Sequence, residues 1–135
     1  MDQIVRFPDR NRRPVVLVVD DEPGIRAFLR DYLRDCGFFP LAVESGDRAA
    51  ELLEAGAAVD LVFSDVRMPG RLDGFGLAQW VMDHRPEIPV LLASGDIGKA
   101  NAAKKLCGAE IIAKPYDLSV TVTKIREVID RHRTG

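Results

Sequence analysis

Cysteine is scarce in this sequence. Cys36 and Cys107 are the only two in 135 residues, they lie far apart, and neither belongs to a CxxC pair. That pattern excludes a disulfide framework, and the two read as reduced cytosolic thiols used for packing. Long apolar runs are also missing. No stretch is long enough to span a bilayer, and no signal-peptide core precedes the first apolar segment, so the expected location is cytoplasmic and off the membrane. A large charge of one sign is lacking: the net charge of −2 gives no global reason to expect nucleic acid as a partner. Internal repeats and low-complexity tracts are absent.

What is present is enough for one domain with a real core. The hydrophobic fraction is 47% and the charged fraction 30%, which suits a water-facing globular unit. Residues 1–13 are locally basic (Arg6, Arg10, Arg12, Arg13) and lack hydrophobic periodicity. They read as a flexible leader, with a nucleic-acid arm as the weaker alternative. Residues 14–135 form the domain.

Short strand-like runs alternate with helix-like stretches, the pattern of βαβ units around a parallel sheet. Val15–Val19 is the first strand. Ile25, Phe28, Leu29, Tyr32, Leu33 and Cys36 then recur at helical spacing, and Gly37 ends that helix. Phe38–Val43 reads as a second strand, placed at a sheet edge because Pro40 removes a backbone donor. Asp47–Ala55 is a short helix with Leu52 and Leu53 facing inward. Leu61–Ser64 is the third strand, Asp73-Gly74 opens a helix to about His84, and Ile88–Ala93 is the fourth strand. Asp96–Cys107 is an Ala-rich helix with few large side chains, expected to be mobile. Glu110–Ala113 is the fifth strand. The last helix, Leu118–His132, carries Leu118, Val122, Ile125 and Ile129 on one stripe.

The acidic residues sit where two apolar runs stop. The first strand ends in Asp20-Asp21 and the third in Asp65. In an open α/β sheet the carboxyl ends of the strands form the ligand crevice, so three carboxylates meet at one edge. At about 4 Å and an effective dielectric near 20, such a pair repels by roughly 4 kcal/mol. A hard divalent cation relieves this, and magnesium, with manganese as the alternative, takes oxygen ligands of this kind. Helix capping by Asp20 or Asp21 is the plainer alternative. Asp65 is a candidate nucleophile, since carboxylates attack phosphorus to give an aspartyl phosphate; a third metal ligand and nothing more is the competing reading. Lys114, at the end of the fifth strand, is either a crevice cation or a solvated charge. Ser94, at the end of the fourth, offers a hydroxyl to a phosphoryl oxygen or serves only the turn.

Five stretches, VVDDEP (Val18 to Pro23), SDVRMPG (Ser64 to Gly70), DGFGLA (Asp73 to Ala78), ASG (Ala93 to Gly95) and AKPY (Ala113 to Tyr116), resemble the receiver domains of bacterial two-component response regulators. The resemblance runs from Val15 to the final helix. It implies a flavodoxin-like three-layer α/β fold, a five-stranded parallel sheet in order 2-1-3-4-5 with helices on both faces. It implies Asp65 as phospho-acceptor; Asp20, Asp21, Asp65 and the backbone carbonyl of Arg67 as metal ligands; and Ser94 and Lys114 as the switch hydroxyl and phosphate-contacting lysine. The donor would be a phosphohistidine on a sensor histidine kinase or a phosphotransfer protein. The expected function is a phosphorylation-dependent switch, not a conventional enzyme, that assists its own phosphorylation and dephosphorylation. It signals through protein contacts without a DNA-binding domain, and a homodimer is compatible with it. The alternatives are a phosphorylation-independent interaction module and a phosphorelay intermediate. A phosphatase of the haloacid dehalogenase type is disfavoured, because no DxD follows the first strand.

The chain departs from the family pattern in three places. The loop Met68 to Gly74 has one residue more than usual, as in receivers of hybrid histidine kinases. Ile111 stands where an aromatic often swings inward. The segment between Ser94 and Lys114 is short. Two further residues are expected at the crevice mouth, Arg67 and Asp96, as an ion pair over the phosphoryl group that tunes its hydrolysis; two independent solvated side chains is the alternative. Trp80 falls off the inward stripe of its helix, either as a contact aromatic or as a half-buried cover for a neighbouring helix.

Overall fold

A computed structural model describes residues 12–96, 98 and 108–134. Five strands, β1 (Val15–Val19), β2 (Phe39–Val43), β3 (Leu61–Asp65), β4 (Val90–Ser94) and β5 (Glu110–Ala113), make one parallel sheet in the order β2-β1-β3-β4-β5. Four helices are described: α1 (Pro23–Asp35), α2 (Gly46–Glu54), α3 (Gly74–His84) and α4 (Leu118–Thr134). The flavodoxin-like order is the one the sequence resemblance implied. Pro40 lies in β2, paired with Val16 on the inner side, and β2 is an edge strand, where a missing N–H costs least.

Successive residues of β1 face opposite sides of the sheet. Val16 and Val18 join Leu29, Leu33, Phe38, Ile125 and Ile129 in the core under α1 and α4. Leu17 and Val19 join Leu53, Leu77, Val81 and Leu92 under α2 and α3. Burial on both faces explains why this strand is an unbroken apolar run with no alternation.

The differences from expectation have physical causes. β2 and β4 start later, at Phe39 and Val90; Ile88 and Pro89 are buried but precede the β4 ladder. In α1 only Leu29 and Leu33 are buried, whereas Ile25 is 45% and Phe28 57% exposed. Phe28 is one residue, and so about 100° of helix rotation, from Leu29, and Ile25 occupies the first turn. In α4, Thr121 and Val128 are buried beside the predicted Ile125 and Ile129. Trp80 is half-buried against the α2/α3 core and stacks on His84 with ring centroids 4.4 Å apart, which matches the covering role. The leader falls outside the described residues except Arg12 and Arg13. So does the expected Asp96–Cys107 helix except Asp96 and Gly98. Among the described residues no helix is long and apolar enough to cross a membrane.

Among the described residues Phe38 is the largest fully buried side chain, and the Arg126 guanidinium lies 4.4 Å above its ring while donating to the Cys36 carbonyl. Phe38→Ala should cost about 3–5 kcal/mol, read as a fall in the urea midpoint at unchanged m. Phe28→Ala, on the exposed row, should stay within about 0.5 kcal/mol.

Candidate functional site

The strand order puts the ends of β1, β3, β4 and β5 along one edge, and each ends in a polar group. Asp20 follows β1 directly. It is 6% exposed, its backbone N–H donates to the Val43 carbonyl at 3.2 Å, and its Oδ1 accepts from the Glu22 N–H at 2.9 Å. The cap of α1 is Glu22, whose carboxylate accepts from the Gly24 N–H at 2.7 Å. Neither Asp20 nor Asp21 is therefore spent on capping, and the plainer reading of the pair falls away. Arg26 reaches back from the first turn of α1 to the Asp20 carbonyl at 2.8 Å, which fixes the corner between strand and helix.

Asp65 ends β3. Its carboxylate oxygen and one from each of Asp20 and Asp21 lie within 4.8 Å of one another. Lys114 crosses from the end of β5 and places Nζ 2.8 Å from Asp65 Oδ1. This lysine precedes a cis peptide bond to Pro115, and its N–H donates to the Ser94 carbonyl at 2.8 Å, which ties the β5 exit to β4. Ser94 is buried at 5% exposure. Its Oγ donates to the Asp96 carbonyl at 3.1 Å and accepts from the Asp96 N–H at 3.0 Å, so the hydroxyl is held by the loop it precedes.

The electrostatics follow from the crowding. Burial pushes the Asp20 carboxyl above the usual carboxylate range, and the charges of Asp65 and Asp21 push the same way. The Glu22 N–H and Lys114 pull against them. The Tyr116 hydroxyl is pushed up by burial and then by Asp20 and Asp65, and its ring meets Phe63 edge-on at 5.7 Å. An all-carboxylate set with a partly uncompensated negative charge is the donor chemistry a hard divalent cation prefers.

A cavity of about 710 Å³ opens over Asp65, lined among others by Arg67, Ser94, Asp96, Lys114 and Phe75. The structure thus gathers Asp65, Ser94 and Lys114 with both expected mouth residues in one recess, while Asp21, Arg67 and Met68 line a second, shallower one beside it. The sequence reading missed Gly74. A side chain there would meet the Asp65 carbonyl at 2.5 Å and the Val66 Cα at 2.6 Å, so only glycine lets α3 start this close to the acceptor. The Asp73-Gly74 pair, read only as a helix start, was the available signal.

The family model of the response regulator receiver domain matches residues 16–126. This chain belongs to that family. It is 32% identical over 126 residues to the DNA-binding transcriptional regulator NtrC of Escherichia coli, covering 90% of this chain but 26% of NtrC; the chain spans about a quarter of that relative's length. Among solved structures it is similar to a response regulator receiver protein from Sinorhizobium medicae (28% identity, TM-score 0.80, covering 89% of this chain and 97% of that one). It is also similar to the response regulator TrrA of Thermotoga maritima in complex with Mg(2+)-BeF (27% identity, TM-score 0.71, covering 83% and 98%). As a receiver, the chain is a signalling domain of two-component systems.

The raised Asp20 pKa sets the sign of a pH effect. The folded receiver binds this proton more tightly than the unfolded chain, so stability is gained at low pH and declines as pH climbs from the ordinary carboxylate value near 4 through the raised one. In metal-free buffer, Asp20→Asn keeps an acceptor for the Glu22 N–H and removes the charge. Its melting temperature should exceed the parent's by a few degrees at pH 7, with the gap closing toward pH 4.

Proposed function

We propose that this receiver is a switch phosphorylated on Asp65. The observation that carries the reading is the Asp65 carboxylate, held by Lys114 at 2.8 Å on one side and crowded by Asp20 and Asp21 on the other. One Asp65 Oδ attacks the phosphorus of a phosphohistidine on a sensor histidine kinase or phosphotransfer protein. The O–P bond forms as the P–N bond breaks, and the imidazole leaves with the bonding pair. Phosphoryl transfer asks the protein mainly for positioning and charge neutralisation. Asp20, Asp21, Asp65 and the Arg67 carbonyl would hold magnesium, which when bound supplies the positive charge that offsets the incoming phosphoryl oxygens. Lys114 exchanges its contact with the carboxylate for one with a phosphoryl oxygen. Ser94 gives up the Asp96 carbonyl and donates to another phosphoryl oxygen, which draws the loop after β4 toward the site. The signal leaves by protein contact from the unit 14–135. Arg67 and Asp96, both at the cavity, flank the path of attacking water and set how long the modified state lasts.

Intact-mass measurement after incubation with a small phosphodonor and magnesium tests the acceptor. A single phosphoryl adduct is expected on the parent and none on Asp65→Asn; an unmodified parent would leave a metal-binding interaction module in its place. For the mouth residues, Arg67→Ala should change the half-life of the phosphorylated form severalfold while the melting temperature stays put, as expected for an exposed side chain. An unaltered half-life removes Arg67 from the hydrolysis step.

A further inference from the structure

The eight-residue loop between β3 and α3 is tied at two points. At its base, the Gly74 N–H donates to the Val66 carbonyl at 2.8 Å. At its apex it meets the N-terminus of α2. Asp47, in the first turn of α2, accepts from two consecutive loop amides, Arg71 N–H at Oδ2 (3.1 Å) and Leu72 N–H at Oδ1 (3.0 Å). Both carboxylate oxygens are used, one per amide, and bonds from N–H groups to an ionised acceptor are the stronger kind.

Two glycines shape the contact. A side chain at buried Gly46 would meet the Leu72 carbonyl at 2.4 Å. One at Gly70, whose φ is +102°, would meet Asp47 Oδ2 at 2.9 Å. The loop therefore lies directly on α2, with glycine on each side of the carboxylate. Between the two ties run Arg67, Met68 and Pro69, which with Asp21 line the shallower recess.

We infer that Asp47 is a positioning residue for the phosphorylation site: by pinning the apex of the long loop to α2, it holds Arg67 and its carbonyl beside Asp21. The inference rests on the acceptor reading above and deepens it. A loop of eight residues has many conformations to lose. A tether at its apex, far from the metal ligands, removes that freedom before any ligand arrives. Asp47 touches neither the acceptor nor the phosphoryl group and acts only through the backbone it fixes.

The test compares the full chain with Asp47→Ala, Asp47→Asn and Asp65→Asn, reading magnesium affinity by calorimetry, adduct formation by intact mass with a small phosphodonor, and metal-free melting. Asp47→Ala should weaken magnesium binding severalfold, below the roughly tenfold that losing a direct partner of a metal ligand costs, because Asp47 bonds loop amides and no ligand. It should slow adduct formation in proportion at subsaturating magnesium, and saturating magnesium should restore the rate. Asp47→Asn keeps one acceptor oxygen and should fall between parent and Ala, which also serves if the Ala chain does not fold. Parent magnesium affinity in both Asp47 variants overturns the inference alone, since the parent still takes up phosphate. A parent chain that stays unmodified overturns the acceptor reading and this inference with it.

Discussion

Three carboxylates held at one sheet edge are the constraint around which this receiver is arranged. Like charges within 4.8 Å of one another are costly where one of them, Asp20, is almost fully buried. The fold keeps them there because the strand order makes β1 and β3 neighbours, and both strands are buried between two apolar cores. The compensation is local and incomplete. Lys114 pairs with Asp65, and the Glu22 amide supports Asp20, whose carboxyl is nonetheless held above the usual carboxylate range by burial. A site left short of positive charge has the donor chemistry a hard cation prefers.

Two of the surrounding polar contacts share one property: each is made by a group that the proposed chemistry needs elsewhere. Lys114 is occupied by the carboxylate that would be esterified. Ser94 Oγ is occupied, as donor and acceptor, by the backbone of Asp96. A phosphoryl group brings strong acceptor oxygens to this recess, and the exchange of partners then has a direction, because the donors move to the more highly charged acceptor. The conformational bias is the difference between the two sets of contacts.

The fold was legible because the strands are apolar on both faces and end in acidic or small polar residues. Val15–Val19 and Leu61–Ser64 could be read as central strands, and Pro40 placed β2 at the edge. The site residues were legible for the same reason: parallel strands deliver whatever follows them to one edge. What the sequence hid lies in side-chain placement and in backbone contacts between distant segments. Ile25 and Phe28 carry helical spacing without burial, since spacing alone does not say where the sheet stops beneath a helix. Asp47 looked like an unremarkable first-turn acid, favourable at a helix N-terminus on its own account, and nothing in its neighbours reports that Arg71 and Leu72 come to it from 24 and 25 residues away. Gly46 and Gly74 likewise announce only turns; the backbone that crowds them belongs to other elements.

Ile111 narrows how the proposed switch is transmitted. It pairs in register with Leu92 and is half-buried against the α2/α3 core. A β-branched aliphatic side chain has few rotamers in a strand and no ring to exchange between an outward and an inward seat, so β5 offers no aromatic lever. Among the described residues, one connection leading away from the acceptor is backbone. Ser94 leads directly into the Gly95-Asp96 loop, and its carbonyl is tied to Lys114 N–H, so a pull on the hydroxyl acts on the β4 and β5 exits together.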